Sequence, residues 1–84
     1  MKPIRFSKHA LLQMPERGVS QQEVIEAIRQ GKPEPGKHGR RLYRLSLEYK
    51  KLWGGRYYGI KQVAPVVAEK TDRIVVVTVY AFYF

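Results

Sequence analysis

Two residues near the start of the chain could carry acid–base and phosphate chemistry. His9 follows Ser7, a favourable N-cap residue, so it falls in the first turn of a predicted helix. The helix dipole disfavours an imidazolium at that end, which leaves a neutral imidazole available as a base. Arg17 could bind a phosphate through its guanidinium fork. Simpler roles stay open, because His9 could pack locally and Arg17 could pair with Glu16 or with a carbonyl group.

A basic region with interleaved aromatic side chains occupies the middle of the chain. Eight cationic residues, opposed only by Glu48, are Lys37, Arg40, Arg41, Arg44, Lys50, Lys51, Arg56 and Lys61. The aromatic residues among them are Tyr43, Tyr49, Trp53, Tyr57 and Tyr58. Cationic groups bind phosphates and aromatic rings stack on unpaired bases. We therefore expect a surface for single-stranded RNA, although half of these aromatic residues could instead belong to the core.

Composition points to the same class of partner. Sixteen Lys and Arg against seven Asp and Glu give a net charge of +9, which favours RNA, DNA, an anionic membrane face or an acidic protein. The chain has no cysteine, which suits a cytoplasmic protein and excludes disulfides and thiolate nucleophiles. Two histidines without clustered carboxylates predict no metal site and no cofactor. The longest apolar run, residues 74–84, is too short for a membrane-spanning helix.

The first third of the chain is predicted to be helical. A short helix would cover Lys8 to Met14 and stop at the proline that follows. Ser20 and Glu23 form a capping-box pattern that begins a second helix, with an apolar stripe at helical spacing. Gly31 stands where a C′ glycine would end that helix.

The remainder of the chain changes to a period of two. After a loop over residues 32–39, alternation over residues 41–49 predicts a strand with one apolar face. Gly54 and Gly55 predict a two-residue hairpin turn. A further strand is expected from Ile60 to Ala68, with Pro65 at a sheet edge or a bulge.

The last predicted strand, Arg73 to Tyr83, is almost continuously apolar and is expected to be central in the sheet. Strict alternation places Val75, Val77, Val79 and Ala81 beneath the helices, facing Val24 and Ile28. The other face would then carry Ile74, Val76, Thr78, Tyr80 and Phe82. The predicted architecture is a single α+β domain, residues 1–84, with two N-terminal helices packed on one face of a three- to four-stranded antiparallel sheet.

Short motifs at both ends of the chain resemble a known family. Phe6-Ser7-Lys8-His9-Ala10, Gln13-Met14 and Glu16-Arg17-Gly18-Val19-Ser20 stand in the order F-S-x-H-A, R-M, E-R-G-I-S of the domain-of-unknown-function family 4258, and residues 74–80 resemble its last strand. That family is similar in layout to the RelE-like, barnase and colicin group of metal-independent ribonucleases, many of them toxins. The resemblance highlights His9, Arg17, Thr78 and Tyr80. The family's usual arginine before the methionine is Gln13 here, so either Arg56 or Lys61 would supply its charge or the chain would be a weakened enzyme.

The leading hypothesis is therefore a toxin-type endoribonuclease that acts without a metal. His9 would be the acid or base, Arg17 and Lys61 would stabilise the phosphate, and Thr78 and Tyr80 would orient it. The arginines that would follow the RNA backbone are Arg40, Arg41, Arg44 and Arg56. A toxin implies a cognate acidic antitoxin protein as partner. Two alternatives remain: a non-catalytic nucleic-acid-binding module, and a protein-interaction domain with an acidic partner.

Overall fold

The structure, a computed structural model, describes residues 2–84 and is an α+β fold of two helices and five strands. In chain order the elements are β1 (Ile4–Phe6), α1 (Lys8–Glu16), α2 (Gln21–Gln30), β2 (Lys32–Pro35), β3 (Arg41–Trp53), β4 (Arg56–Glu69) and β5 (Ile74–Tyr83). A 3-10 turn, Lys37–Gly39, joins β2 to β3. No helix within the described residues is long and apolar enough to cross a membrane.

The sheet has five strands in the order β1-β5-β4-β3-β2 and is mixed. The strands β2 to β5 pair antiparallel, whereas β1 pairs parallel with the start of β5. The α+β class is confirmed, but the prediction of three to four antiparallel strands missed β1 and β2. Both are short, and β2 contains two prolines. Such segments carry too few residues to show a period of two.

The first helix extends past its predicted end. Ser7 caps it by accepting a hydrogen bond from the Ala10 N–H, as expected. Pro15, however, lies inside the last turn rather than after it. A proline costs most in a helix interior. Here the turn is still closed by the N–H groups that follow, because Arg17 N donates to Gln13 O at 3.1 Å.

The second helix begins as predicted, with the capping box of Ser20 and Glu23 fully formed. Its buried face carries Val24, Ala27 and Ile28. Gly31 directly follows the helix, as predicted, but its φ of −73° is not the left-handed conformation usual for a glycine at a helix end. The glycine is needed for space instead, since a Cβ there would lie 2.7 Å from the Arg44 carbonyl oxygen.

A β-bulge in β5 exchanges the predicted faces of its first half. Val67 pairs with Val76 and Val66 pairs with Thr78, so Val77 is an extra residue in β5. Val76 is therefore buried in the core beneath the helices, while Val77 is only half-buried. The prediction that Val75 and Val77 lie beneath the helices is wrong, because one extra residue reverses the alternation.

Beyond the bulge the predicted faces are correct. Val79 is fully buried in the core and Ala81 packs against it. Thr78 and Tyr80 point to the opposite face of the sheet, which carries neither helix. That uncovered surface is called the open face below, and it also carries Phe82.

Pro65 lies in the central strand β4, not at a sheet edge as one of its predicted placements had it. The β3–β4 register runs from the pair Leu42–Val66 to the pair Leu45–Val63, so Pro65 falls within a gap in that ladder. The gap tolerates a residue that has no N–H to donate. The bulge in the β4–β5 register comes directly after Val66.

Candidate nucleic-acid interface

A shallow groove crosses the open face between the β2–β3 turn and β5. Its volume is about 280 Å³ and its lining residues are Pro35, Gly36, Lys37, His38, Arg40, Leu42, Val66, Thr78 and Tyr80. Leu42, Val66 and Thr78 come from three adjacent strands and form its floor. The groove therefore combines an apolar floor, two hydroxyl groups, an imidazole and two cationic side chains, and we call it the His38 groove.

The β2–β3 turn brings the charged side chains to this groove. His38 has a φ of 59° and Gly39 a φ of 72°, so two successive left-handed residues reverse the chain. Gly36 N donates to Arg40 O at 2.7 Å and closes the turn. Left-handed backbone suits glycine and is tolerated by histidine better than by branched residues. The turn exposes Lys37, His38 and Arg40 beside the open face.

Gln13 of α1 and Arg17, the C-cap residue of that helix, complete the exposed edge of β5. β1 pairs only with Ile74 to Val76, so the rest of that edge has no strand beside it. The Gln13 Oε1 atom accepts hydrogen bonds from Val79 N at 3.1 Å and from Thr78 Oγ1 at 2.5 Å. Arg17 Nη1 donates to Val79 O at 2.5 Å. Gln13 and Arg17, one turn apart, thus satisfy the backbone of Val79 as a neighbouring strand would.

Gln13 is the position where the resemblance has an arginine. A guanidinium has no acceptor atom, so it could not accept the two hydrogen bonds that the Gln13 amide oxygen accepts. Glutamine at this position fixes the hydroxyl of Thr78 and the edge of β5 rather than supplying charge. The Thr78 oxygen can still accept a hydrogen bond from a ligand.

Arg17 and Tyr80, two of the predicted site residues, are brought together. The guanidinium carbon of Arg17 lies 5.3 Å from the centre of the Tyr80 ring, within cation–π range. Only one of its five N–H donors is needed for the bond to Val79. Arg17 therefore joins α1 to β5 and still places positive charge beside a ring of the His38 groove.

His9 lies on the same stripe of α1. It precedes Gln13 by four residues, and so by about 6 Å along the helix axis, and its side chain is exposed. His38, not His9, is the histidine that lines the groove with Thr78 and Tyr80. His38 lies in a basic loop between Gly36 and Gly39, and this sequence pattern is typical of a solvated or phosphate-contacting histidine.

Lys61 lies on the helix side of the sheet, away from the His38 groove. Only 5% of it is exposed. Its ammonium group donates to the Gly18 carbonyl oxygen and to Glu23 Oε1, the latter at 2.8 Å. Burial raises the pKa of Glu23, but the hydrogen bonds from Lys61 and Ser20 outweigh it and hold that pKa below its ordinary value. Lys61 thus joins β4 to the start of α2.

The four predicted RNA-contacting arginines are divided by the fold. Arg40 lines the His38 groove and Arg41 is exposed next to it in the chain. Arg44 lies on the open face, but its Nε atom forms an ion pair with Glu34 at 2.7 Å. Arg56 is exposed at the hairpin that begins β4. Arg40 is thus the member of this set that lines the groove, because Arg41 pairs with Val67 and its side chain points to the other side of the sheet.

Most of the aromatic residues expected on the RNA-binding face lie on the helix side instead. Tyr43 packs against the core. The rings of Tyr49, Trp53 and Tyr58 surround Tyr83, with ring centres 5.2 to 5.5 Å from its own. Tyr83 donates a hydrogen bond to Arg17 O, and burial raises its pKa to about 12. Tyr57 is exposed at the start of β4, and the exposed rings of β5 are those of Tyr80 and Phe82.

Comparison with known proteins places the chain in a family. No curated protein and no solved structure matches it. The family described as "Domain of unknown function (DUF4258)" matches residues 6–81, which include both helices, the His38 groove and the face of α1 that carries His9 and Gln13. The match covers nearly the whole chain, so the protein belongs to the DUF4258 family of domains of unknown function.

Proposed function

We propose that this protein binds single-stranded RNA in the His38 groove and cleaves it without a metal ion. The observation that carries the proposal is the composition of the groove. An imidazole, two hydroxyl groups and two cations meet on the open face of a protein with a net charge of +9. Phosphate recognition needs the cations, and proton transfer near neutral pH needs the imidazole.

The reaction would be an internal transesterification. A base removes the proton of a ribose 2′-OH, and the oxygen attacks the adjacent phosphorus. The bond from phosphorus to the 5′-oxygen breaks, and an acid gives that oxygen a proton. The products are a 2′,3′-cyclic phosphate and a 5′-hydroxyl. His38 would transfer the protons, while Lys37, Arg40 and Arg17 would stabilise the charge on the phosphorane. Thr78 and Tyr80 would orient the phosphate.

Two predicted site residues have different places in this proposal. His9 is a second candidate for proton transfer, because it lies one turn from the Gln13–Thr78 hydrogen bond on the exposed stripe of α1. Lys61 has no part, since its ammonium group is buried and bound to Glu23. As a toxin the protein would act in the cytoplasm, and an acidic antitoxin would cover its basic groove.

The protein-interaction alternative is less well supported. Addition of a partner's strand to β5 would need a free backbone edge. At Val79 both the N–H and the carbonyl group are already bound by Gln13 and Arg17. The non-catalytic binding module differs from the main proposal only in the chemical step, so the same experiment separates the two.

Cleavage is tested by incubating the protein with a single-stranded RNA in EDTA. The wild type should produce fragments with cyclic phosphate ends, and His38→Ala should slow the reaction about 100-fold or more. His9→Ala tests the second candidate, and it should slow the reaction less than His38→Ala does. If His9→Ala slows cleavage more than His38→Ala does, His9 is the residue that transfers the proton. A lack of cleavage by the wild type would refute the proposed reaction.

Binding is tested separately with a 2′-O-methyl RNA, which cannot be cleaved by this route. Neutralising Lys37 and Arg40 to glutamine should flatten the log–log dependence of affinity on salt by about 1.4, or about 0.7 for each phosphate that is no longer neutralised. Arg29→Gln, which removes one positive charge from the exposed side of α2, should leave the slope unchanged. If the wild type binds but does not cleave RNA, the protein is a binding module.

A further inference from the structure

Two exposed aromatic rings lie side by side on β5, next to the His38 groove. Tyr80 and Phe82 alternate along the open face and are 43% and 40% exposed. Their ring centres are 6.4 Å apart and their planes differ by 23°. We call this pair the aromatic ladder. Two neighbouring rings that are exposed on one face of the sheet offer flat surfaces on which planar groups of a ligand can stack.

Each ring of the ladder has a guanidinium group beside it. The guanidinium carbon of Arg17 is 5.3 Å from the Tyr80 ring centre, and that of Arg44 is 5.7 Å from the Phe82 ring centre. Arg17 is held by Val79 and Arg44 by Glu34, so both cations are fixed in place. The ladder therefore offers flat apolar faces with positive charge at each step.

We infer that the aromatic ladder binds two consecutive unpaired bases of the RNA that enters the His38 groove. This inference rests on the proposed function, and it adds where the bases bind and the path that the strand takes along β5. The repeat of a stacked strand is about 3.4 Å. The two ring centres are nearly twice that distance apart. Two neighbouring bases can therefore contact the two rings only if the bases have first unstacked from each other.

A double helix does not fit the same surface. Its bases stack on one another and present only their edges, so the ladder rings would have no base face to contact. An unpaired strand offers base faces to the rings and phosphates to Arg17 and the β2–β3 turn. Stacking of this kind tolerates any base, because every base has a π-face. The ladder thus selects for an unpaired strand and not for a sequence.

The test uses a fluorescein-labelled 2′-O-methyl oligouridylate, followed by fluorescence anisotropy. Tyr80→Ala and Phe82→Ala should each weaken binding about 5- to 100-fold, the range that corresponds to the loss of one stacked base. Tyr80→Phe keeps the ring but loses the hydroxyl that orients the phosphate, so it should retain more of the affinity than Tyr80→Ala does. Leu12→Ala, which removes an exposed apolar side chain from α1, is the matched control and should have no effect.

A second arm uses the same strand annealed to its complement. The wild type should bind the duplex more weakly, and the two alanine variants should bind the duplex as the wild type does. If the two alanine variants bind the single strand normally but neutralising Lys37 and Arg40 weakens binding, the role of the aromatic ladder is refuted. The proposed binding of RNA in the His38 groove is then retained. Equal affinity of the wild type for both forms also refutes the ladder. A wild type that binds neither form refutes the proposed function itself.

Discussion

We expect Lys61 to stabilise the fold and not to bind phosphate, and Lys61→Met tests this expectation. Its ammonium group is buried and donates to Glu23 and to the Gly18 carbonyl oxygen. Removing one partner of a buried ion pair costs about 3–5 kcal/mol. The Glu23 side chain is 28% exposed and keeps its hydrogen bond from Ser20 N, so we expect the lower cost of about 2–3 kcal/mol.

For a domain of this size, that loss corresponds to a fall in Tm of about 10–20 °C. Methionine keeps most of the apolar stem of lysine, so the change measures the ammonium group rather than a cavity. The cost also depends on pH. The pKa of Glu23 is lower in the folded protein than its ordinary value of 4.5. The ion pair therefore contributes its full stability above pH 4.5 and loses it as the pH falls through the folded pKa.

Thermal unfolding followed by circular dichroism from pH 7 to pH 3 measures both effects. The difference in Tm between the wild type and Lys61→Met should be largest at pH 7 and should shrink at acid pH. Glu23→Gln in both backgrounds completes a double-mutant cycle and should show coupling between the two residues. RNA affinity at 15 °C should not change. A variant that is as stable as the wild type but has lost RNA binding would show that Lys61 is a phosphate ligand.

Three further predictions concern packing around the helices. Gly18→Ala should destabilise the fold by about 1–3 kcal/mol, because Gly18 has a φ of 68° and an added Cβ would lie 2.6 Å from the Trp53 ring. Urea titration measures this loss, and an unchanged midpoint would contradict the prediction. Because burial raises the pKa of Tyr83 to about 12, stability should be intact below pH 10 and fall between pH 10 and 12, an effect that Tyr83→Phe should remove. Val76→Ala should cost about 1–3 kcal/mol and Val77→Ala clearly less, since only Val76 is fully buried; equal costs would place the bulge elsewhere.

The helical third could be predicted well because its signals are local. Ser20 and Glu23 are three residues apart and form the predicted capping box. The hairpin turn at Gly54 and Gly55 is likewise determined by four adjacent residues, from Trp53 to Arg56. The hydrogen bond of Arg17 to Val79 has no local signal, since the two residues are 62 positions apart. Contacts of that kind follow from the register of β5 against α1, which sequence spacing does not define.

The role of Lys61 could have been inferred from the sequence in part. Alternation along β4 puts Lys61 on the face of Val63 and Val67, both of which are buried. A lysine in such a row needs a carboxylate partner. The partner, Glu23, is 38 residues away on α2. The sequence pattern indicated only its role in the capping box and not its hydrogen bond with Lys61. Charge alone therefore suggested a phosphate ligand where periodicity suggested a buried ion pair.

The single extra residue of β5 is what makes the candidate site. Ile74 and Val76 lie on the helix side, and strict alternation from them would bury Thr78 and Tyr80 beneath the helices as well. Val77 reverses the alternation, so both hydroxyl groups reach the open face. Because three consecutive valines precede Thr78, the sequence looks the same for either register. Bulges of this kind often stand next to active sites, where they redirect a side chain without breaking the sheet.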